Sequence, residues 1–110
     1  MAIKSDYDIK NDRLYFYVNE NNVDYSIDYD DVILDVSGKR ITGIEIMDAS
    51  KFLSIKKSVD INKFFSSLKN IKMDVEYKDN SISVSINLES NKSNENIYIK
   101  VPIKKELIVC

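Results

Sequence analysis

Four carboxylates are the side chains best spaced to do chemistry in this chain. Asp8 and Asp12 flank one turn, and Asp35 and Glu45 fall on strands either side of a turn at Gly38. Oxygen donors grouped in this way suit a hard cation such as magnesium or calcium, and a cation held there would support metal-dependent hydrolysis. The sequence contains no histidine, however, and no spacing that resembles a calcium-binding loop. Solvated charges that discourage sheets from pairing edge to edge account for the same acids more simply. A glycosidase-like carboxylate pair needs a cleft, which a small domain made mostly of strands offers poorly. Ser50 has no base to activate it. Cys110 is the last residue, with Lys105 as its nearest basic neighbour in sequence, so nothing indicates a reactive thiol. No catalytic, cofactor-binding or metal-binding residue is therefore assigned, and a non-enzymatic role is expected.

Glu45 and the tyrosines give a different signal. Glu45 lies between Ile44 and Ile46 on a strand that also holds Gly43. A partly covered carboxylate there needs a donor, which Arg40 or the Tyr15 hydroxyl could supply, and such a bridge would fix strand register. Tyr15 and Tyr17 fall on the face opposite Leu14 and Phe16, which makes that face a second, aromatic surface. Aromatic rings with a polar tip favour interfaces, so Tyr15, Tyr17 and Glu45 mark the expected interaction surface.

The elements that must position these residues follow from periodicity. Asn11-Asp12 separates two alternating segments, the second being Leu14, Phe16 and Val18. A polar loop at Asn19 to Asn22 leads to Tyr25, Ile27 and Tyr29, and Asp30-Asp31 then turns the chain into Val32, Leu34 and Val36. Gly38 supplies the positive φ of a hairpin turn, while Gly43 inside the next strand predicts a bulge or a close approach by another backbone. These strands predict an antiparallel meander of about five. Asp48 is expected to cap a helical segment over about 48–70, in one piece or two. Phe52, Leu53 and Ile55, then Ile61, Phe64, Phe65 and Leu68, form its apolar side. Three further antiparallel strands follow, carrying Ile71 to Tyr77, Ile82 to Leu88 and Ile97 to Ile103 on alternating positions. Ser90 to Asn96 reads as a loose polar loop, Pro102 marks an edge strand, and the apolar tail Leu107 to Cys110 is expected to pair with an edge or a subunit. The expected fold class is α+β.

Composition bounds the rest. With 110 residues, 44% hydrophobic and 31% charged, the chain fits one globular domain, residues 1–110. No apolar run is long enough to span a membrane, and MAIKSDYD lacks the apolar core of a signal peptide, so a cytoplasmic protein is expected, with no membrane partner. Residues 1–50 carry five basic against eleven acidic side chains, and residues 51–110 eleven against seven. These opposed halves attract each other within one fold or between subunits. Lysines scattered among acids do not make the clustered face that nucleic acid requires, so nucleic acid is not an expected partner.

The segments YDIKNDRLYFYV and LDVSGKRITGIEIMDAS together resemble a small prokaryotic family of unknown function with a YDxxxDxLY opening and a GxxxGIEIxxAS close. Tyr7, Asp8, Asp12, Leu14, Tyr15, Asp35, Gly38, Gly43, Ile44, Glu45, Ile46, Ala49 and Ser50 carry the match. Val36-Ser37 stands where an acidic residue often precedes the first glycine. The resemblance covers about residues 7–50 and leaves the helical segment and last strands as an extension. It implies no established activity and, for some members, an antitoxin-like pairing with a protein encoded nearby. The expectation is a protein-interaction or oligomerisation module that forms homo-oligomers, with a metal-dependent hydrolase using Asp8, Asp12, Asp35 and Glu45 as the alternative.

Overall fold

The computed structural model describes residues 3–18, 23–53 and 58–102. The loop at Asn19 to Asn22, Ile55, Ile103 and the tail Leu107 to Cys110 lie outside the described residues.

Five strands form one antiparallel sheet: β1 (Ile3–Asp8), β2 (Arg13–Val18), β3 (Tyr25–Tyr29), β4 (Val32–Ser37) and β5 (Arg40–Ile46). Their order is β1-β2-β5-β4-β3, which corrects the expected meander. β2 is flanked by β5 instead of β3, and β3 lies at the far edge, a Greek-key arrangement. Burial explains the exchange. Leu14 and Phe16 of β2 and Ile44 and Ile46 of β5 are fully buried, so each strand gains from a central place. Ser26, Asp28 and Tyr29 leave β3 mostly wet.

The turns follow their chemistry. Gly38 and Lys39 both take positive φ, 57° and 69°, which gives the two-residue hairpin turn whose twist matches its strands. Asp8 accepts the backbone N–H groups of Lys10 and Asn11 and the Asn11 side-chain amide, so a local carboxylate shapes the β1–β2 turn. Ile9 falls in that turn and is half exposed.

The helical segment is smaller than expected. It comprises α1 (Ala49–Phe52) and α2 (Ser58–Ser66), and Leu68 already belongs to the next strand. The second sheet runs β6 (Leu68–Tyr77), β7 (Ser81–Ser90) and β8 (Asn94–Pro102) in sequence order. Helix content is low, and the fold consists mainly of two antiparallel sheets with two short helices. Ser90 to Asn96 is not a loose loop. β7 and β8 pair up to Glu89 and Asn94, and the Ser90 N–H donates to the Ser93 carbonyl at 2.9 Å.

Both sheets face one core. Leu14, Phe16, Leu34, Ile44 and Ile46 from the first sheet and Ile82, Val84, Ile86, Leu88 and Val101 from the second belong to one buried cluster. Strict alternation on β7 and β8 produces this, because period 2 sends every second side chain inward. α2 closes the core with Ile61, which is fully buried, and with Phe65, whose ring lies 5.7 Å from that of Phe16. Phe64 meets Phe65 edge-on at 5.3 Å.

Candidate functional site

The helices and the second sheet cover the side of the five-stranded sheet that carries Phe16, and among the described residues neither the helices nor the second sheet lie on its other side. On that outer side the register sets Asp6, Tyr15, Glu45, Ile33 and Asp28 in one row across the strands. Lys4, Tyr17, Gly43, Asp35 and Ser26 form the next. Tyr15 and Tyr17 stack, with ring centroids 4.8 Å apart and planes 18° from parallel. Both are half-buried.

Tyr15 lies across β5 to reach β4. Its hydroxyl donates to Asp35 Oδ2 at 2.8 Å, and the Ser26 hydroxyl donates to Asp35 Oδ1, also at 2.8 Å. Gly43 makes this possible. A Cβ there would stand 2.8 Å from the Tyr15 hydroxyl and 2.9 Å from Asp35 Oδ2. The predicted close approach is real, but a ring and a carboxylate make it, not a backbone. Beside it the β4–β5 register shifts, with Asp35 opposite Gly43 and Val36 opposite Ile41, so Thr42 is the extra residue of a bulge. Partial burial, the bond to Asp35 and the negative charges of Asp35 and Glu45 push the Tyr15 phenol up to about 12. The Tyr17 hydroxyl donates to Asp6 Oδ2 at 3.0 Å, which raises its phenol above the ordinary value.

Glu45 is partly covered, as its setting suggested, but its cation is Arg13, neither Arg40 nor the Tyr15 hydroxyl. Arg13 Nη1 lies 3.7 Å from Glu45 Oε1. A meander does not pair β2 with β5 and so gives Arg13 no place beside Glu45. Once that pairing exists, Tyr15 stands opposite Glu45 and Arg13 lies one row away.

Asp12 has a structural task that the sequence suggested for Asp48. Asp48 precedes α1 with φ 52° and makes no side-chain cap bond. Asp12 supplies the cap from the β1–β2 turn, beside the end of β5. Its carboxylate accepts the Ser50 N–H at 3.1 and 3.2 Å, the Ser50 hydroxyl at 2.6 Å and the Tyr7 hydroxyl at 2.6 Å. Its carbonyl accepts the Ala49 N–H at 2.9 Å. Burial works to raise the Asp12 pKa, but the bonds from Ser50 and Tyr7 outweigh it, and the group titrates below the ordinary carboxylate value. Asp8 is also held low, by Asn11.

The four acids are thus occupied separately: Asp8 in its turn, Asp12 under α1, Asp35 beneath Tyr15 and Glu45 beside Arg13. Among the described residues no group of three or more carboxylates, thiols or imidazoles is placed to hold a metal ion. No helix among them is long and apolar enough to cross a membrane.

The arrangement defines a class: two antiparallel sheets around one core, with a tyrosine-and-carboxylate lattice on the outer side of the larger sheet. The chain belongs to the family described as "Protein of unknown function (DUF2283)", whose model matches residues 4–50, from β1 to the first turn of α1. It is 32% identical over 97 residues to a protein of Methanosarcina mazei named "Putative hypoxanthine phosphoribosyltransferase", covering 86% of this chain and 74% of that one. That similarity necessarily extends beyond residue 50 into the second sheet. An uncharacterized protein of Methanocaldococcus jannaschii is 36% identical over 58 residues, 52% of this chain and half of its own length. No solved structure matches.

Proposed function

We propose that the protein is a non-enzymatic interaction module that binds protein through the outer face of its larger sheet, with Tyr15, Tyr17 and Glu45 at the centre of the contact. One observation carries the reading: the stacked Tyr15–Tyr17 pair stays half-exposed on a face of that sheet that, among the described residues, neither the helices nor the second sheet cover. Tyrosine and arginine are enriched where interfaces concentrate their energy, and Arg13 flanks the pair. The hydroxyl bonds to Asp35 and Asp6 hold both rings in place before any partner arrives, which lowers the ordering cost of association. Another copy of the chain or a protein encoded nearby fits this surface, the latter in an antitoxin-like pairing.

A hydrolase centred on the four acids gains nothing from their placement, since each is already engaged elsewhere. A phosphoribosyltransferase reading, prompted by the name of the Methanosarcina mazei relative, calls for a loop whose backbone amides cradle a pyrophosphate. Gly38 lies in a hairpin turn and Gly43 lies under Tyr15, so neither glycine supports such a loop.

Sedimentation of the chain alone, and mixed with the product of the adjacent gene, tests the proposal. Tyr17→Ser should remove the heavier species formed with the adjacent gene's product while leaving the far-ultraviolet circular dichroism unchanged. Equal complex formation by native and Tyr15→Ser/Tyr17→Ser proteins would refute it.

A further inference from the structure

We propose that two copies of this chain join edge to edge along β6, antiparallel about a two-fold axis through Met73, so that the two smaller sheets merge into one of six strands. The inference rests on the reading of the protein as an interaction module but uses a different surface from the tyrosine face.

Unequal burial across the second sheet points to this edge. The core-facing residues Ile82, Val84 and Ile86 of β7 are at most 2% exposed, and Ile97, Ile99 and Val101 of β8 at most 7%. Ile71, Met73 and Val75 of β6 also pack against the core, yet they are only partly buried. No described strand pairs with the outer edge of β6, although β1 comes near it. Clefts of about 430 and 540 Å³ open there between β6 and the N-terminal strand β1. A ten-residue strand at the edge of its sheet among the described residues is a ready template for another strand. The other edges are less suited. β8 ends in Pro102, which has no donor, β3 has five residues, and Asp6 of β1 is held by Tyr17.

The charges on β6 select the partner and the register. A bulge at Lys69 interrupts β6 between Leu68 and Asn70, leaving Asn70 to Glu76 as the regular segment, with Met73 at its midpoint. A dyad there sets Lys72 opposite Asp74 of the second copy, and Asp74 opposite its Lys72. Ile71 then faces Val75 on the core side, and Asn70 faces Glu76 on the wet side. Shifting the dyad by one residue either way would oppose Lys72 to Lys72 or Asp74 to Asp74. Like charges directly opposite destabilise a sheet and unlike charges stabilise it. The segment is therefore self-complementary in the Met73 register, which is the property an isologous contact requires.

Sedimentation equilibrium of the full chain tests this with a charge exchange. The native protein should dimerise in the micromolar range. Lys72→Glu and Asp74→Lys should each weaken dimerisation about tenfold or more, and the double variant Lys72→Glu/Asp74→Lys should restore it by reversing both pairs. Lys100→Glu, the same charge change on exposed β8, should leave the dimer intact. If a charge reversal disturbs the circular dichroism, Lys72→Gln replaces it and should still weaken the dimer severalfold. A monomeric native chain, or a dimer indifferent to both single reversals, overturns the proposal. A dimer lost in Tyr15→Ser/Tyr17→Ser but kept in Lys72→Glu overturns it too, while leaving the tyrosine face standing as the contact.

Discussion

Replacing Gly43 by alanine should destabilise the protein, although alanine ordinarily suits a strand better than glycine. Removing glycine's extra unfolded-state freedom favours the variant by about 0.5–1 kcal/mol. The new Cβ, however, would stand 2.8 Å from the Tyr15 hydroxyl, 2.9 Å from Asp35 Oδ2 and 3.0 Å from Tyr15 Cε1. Ring and carboxylate would have to part, and forced repacking of this kind costs ~1–3 kcal/mol. Parting them also breaks a hydrogen bond to a carboxylate, worth ~1.5–3 kcal/mol where it is well shielded and less at this half-covered site. The net expectation is a loss of about 2 kcal/mol, or a Tm lower by roughly 8 °C for a domain of this size. Urea titration followed by circular dichroism measures the loss. Tyr15→Phe removes the hydroxyl that the Cβ meets, so Gly43→Ala should cost about 1 kcal/mol less in that background than in the native one. A Gly43→Ala protein as stable as the native, or additive costs in the double variant, would refute the argument that Gly43 exists to let Tyr15 cross it.

Further outcomes follow from the same bonds. Asp12 titrates below the ordinary value, so its contribution is complete above the unfolded carboxylate pKa and is lost as pH falls through the folded one. Asp12→Asn should cost about 1–2 kcal/mol at neutral pH, with the gap from native closing in acid, as paired urea titrations over pH would show. The Tyr15 phenol, pushed up to about 12, should be absent from the ordinary tyrosine step near pH 10 in an ultraviolet titration, and Tyr15→Phe should leave that step unchanged while removing a phenol that titrates later. Since the folded state favours its neutral form, that stabilisation is full below about pH 10 and lost as pH rises through the folded value. Arg13→Ala should change stability by less than about 1 kcal/mol, because the Arg13–Glu45 pair is long and half in water, and a larger loss in thermal unfolding would contradict that.

Period-2 alternation made most of the strands readable. Ile82 to Leu88 and Leu14 to Val18 carry their burial pattern openly, and the turn at Gly38 follows from a residue type with few other uses. The order of the strands was not readable, because alternation states which side of a strand is buried but not which neighbour it meets. That gap hid the site. With β2 beside β3, nothing links Tyr15 to Asp35 or Arg13 to Glu45. With β2 beside β5, both follow from register. The Asp48 cap failed for a related reason: a local rule favoured the nearest carboxylate, while tertiary structure brought Asp12 from 38 residues away. The helical stretch shrank because Leu68, though at helical spacing from Ile61 and Phe64, also begins the alternation of β6.

The central claim, that the outer tyrosine face is the contact surface, is tested most directly by mapping backbone amide shifts in an isotopically labelled chain as the adjacent gene's product is added. The account predicts that changes concentrate in Arg13–Val18 and Arg40–Ile46, spare β7, and vanish in Tyr15→Ser/Tyr17→Ser. Binding whose shifts fall on β7 and β8 and survive both substitutions would contradict it.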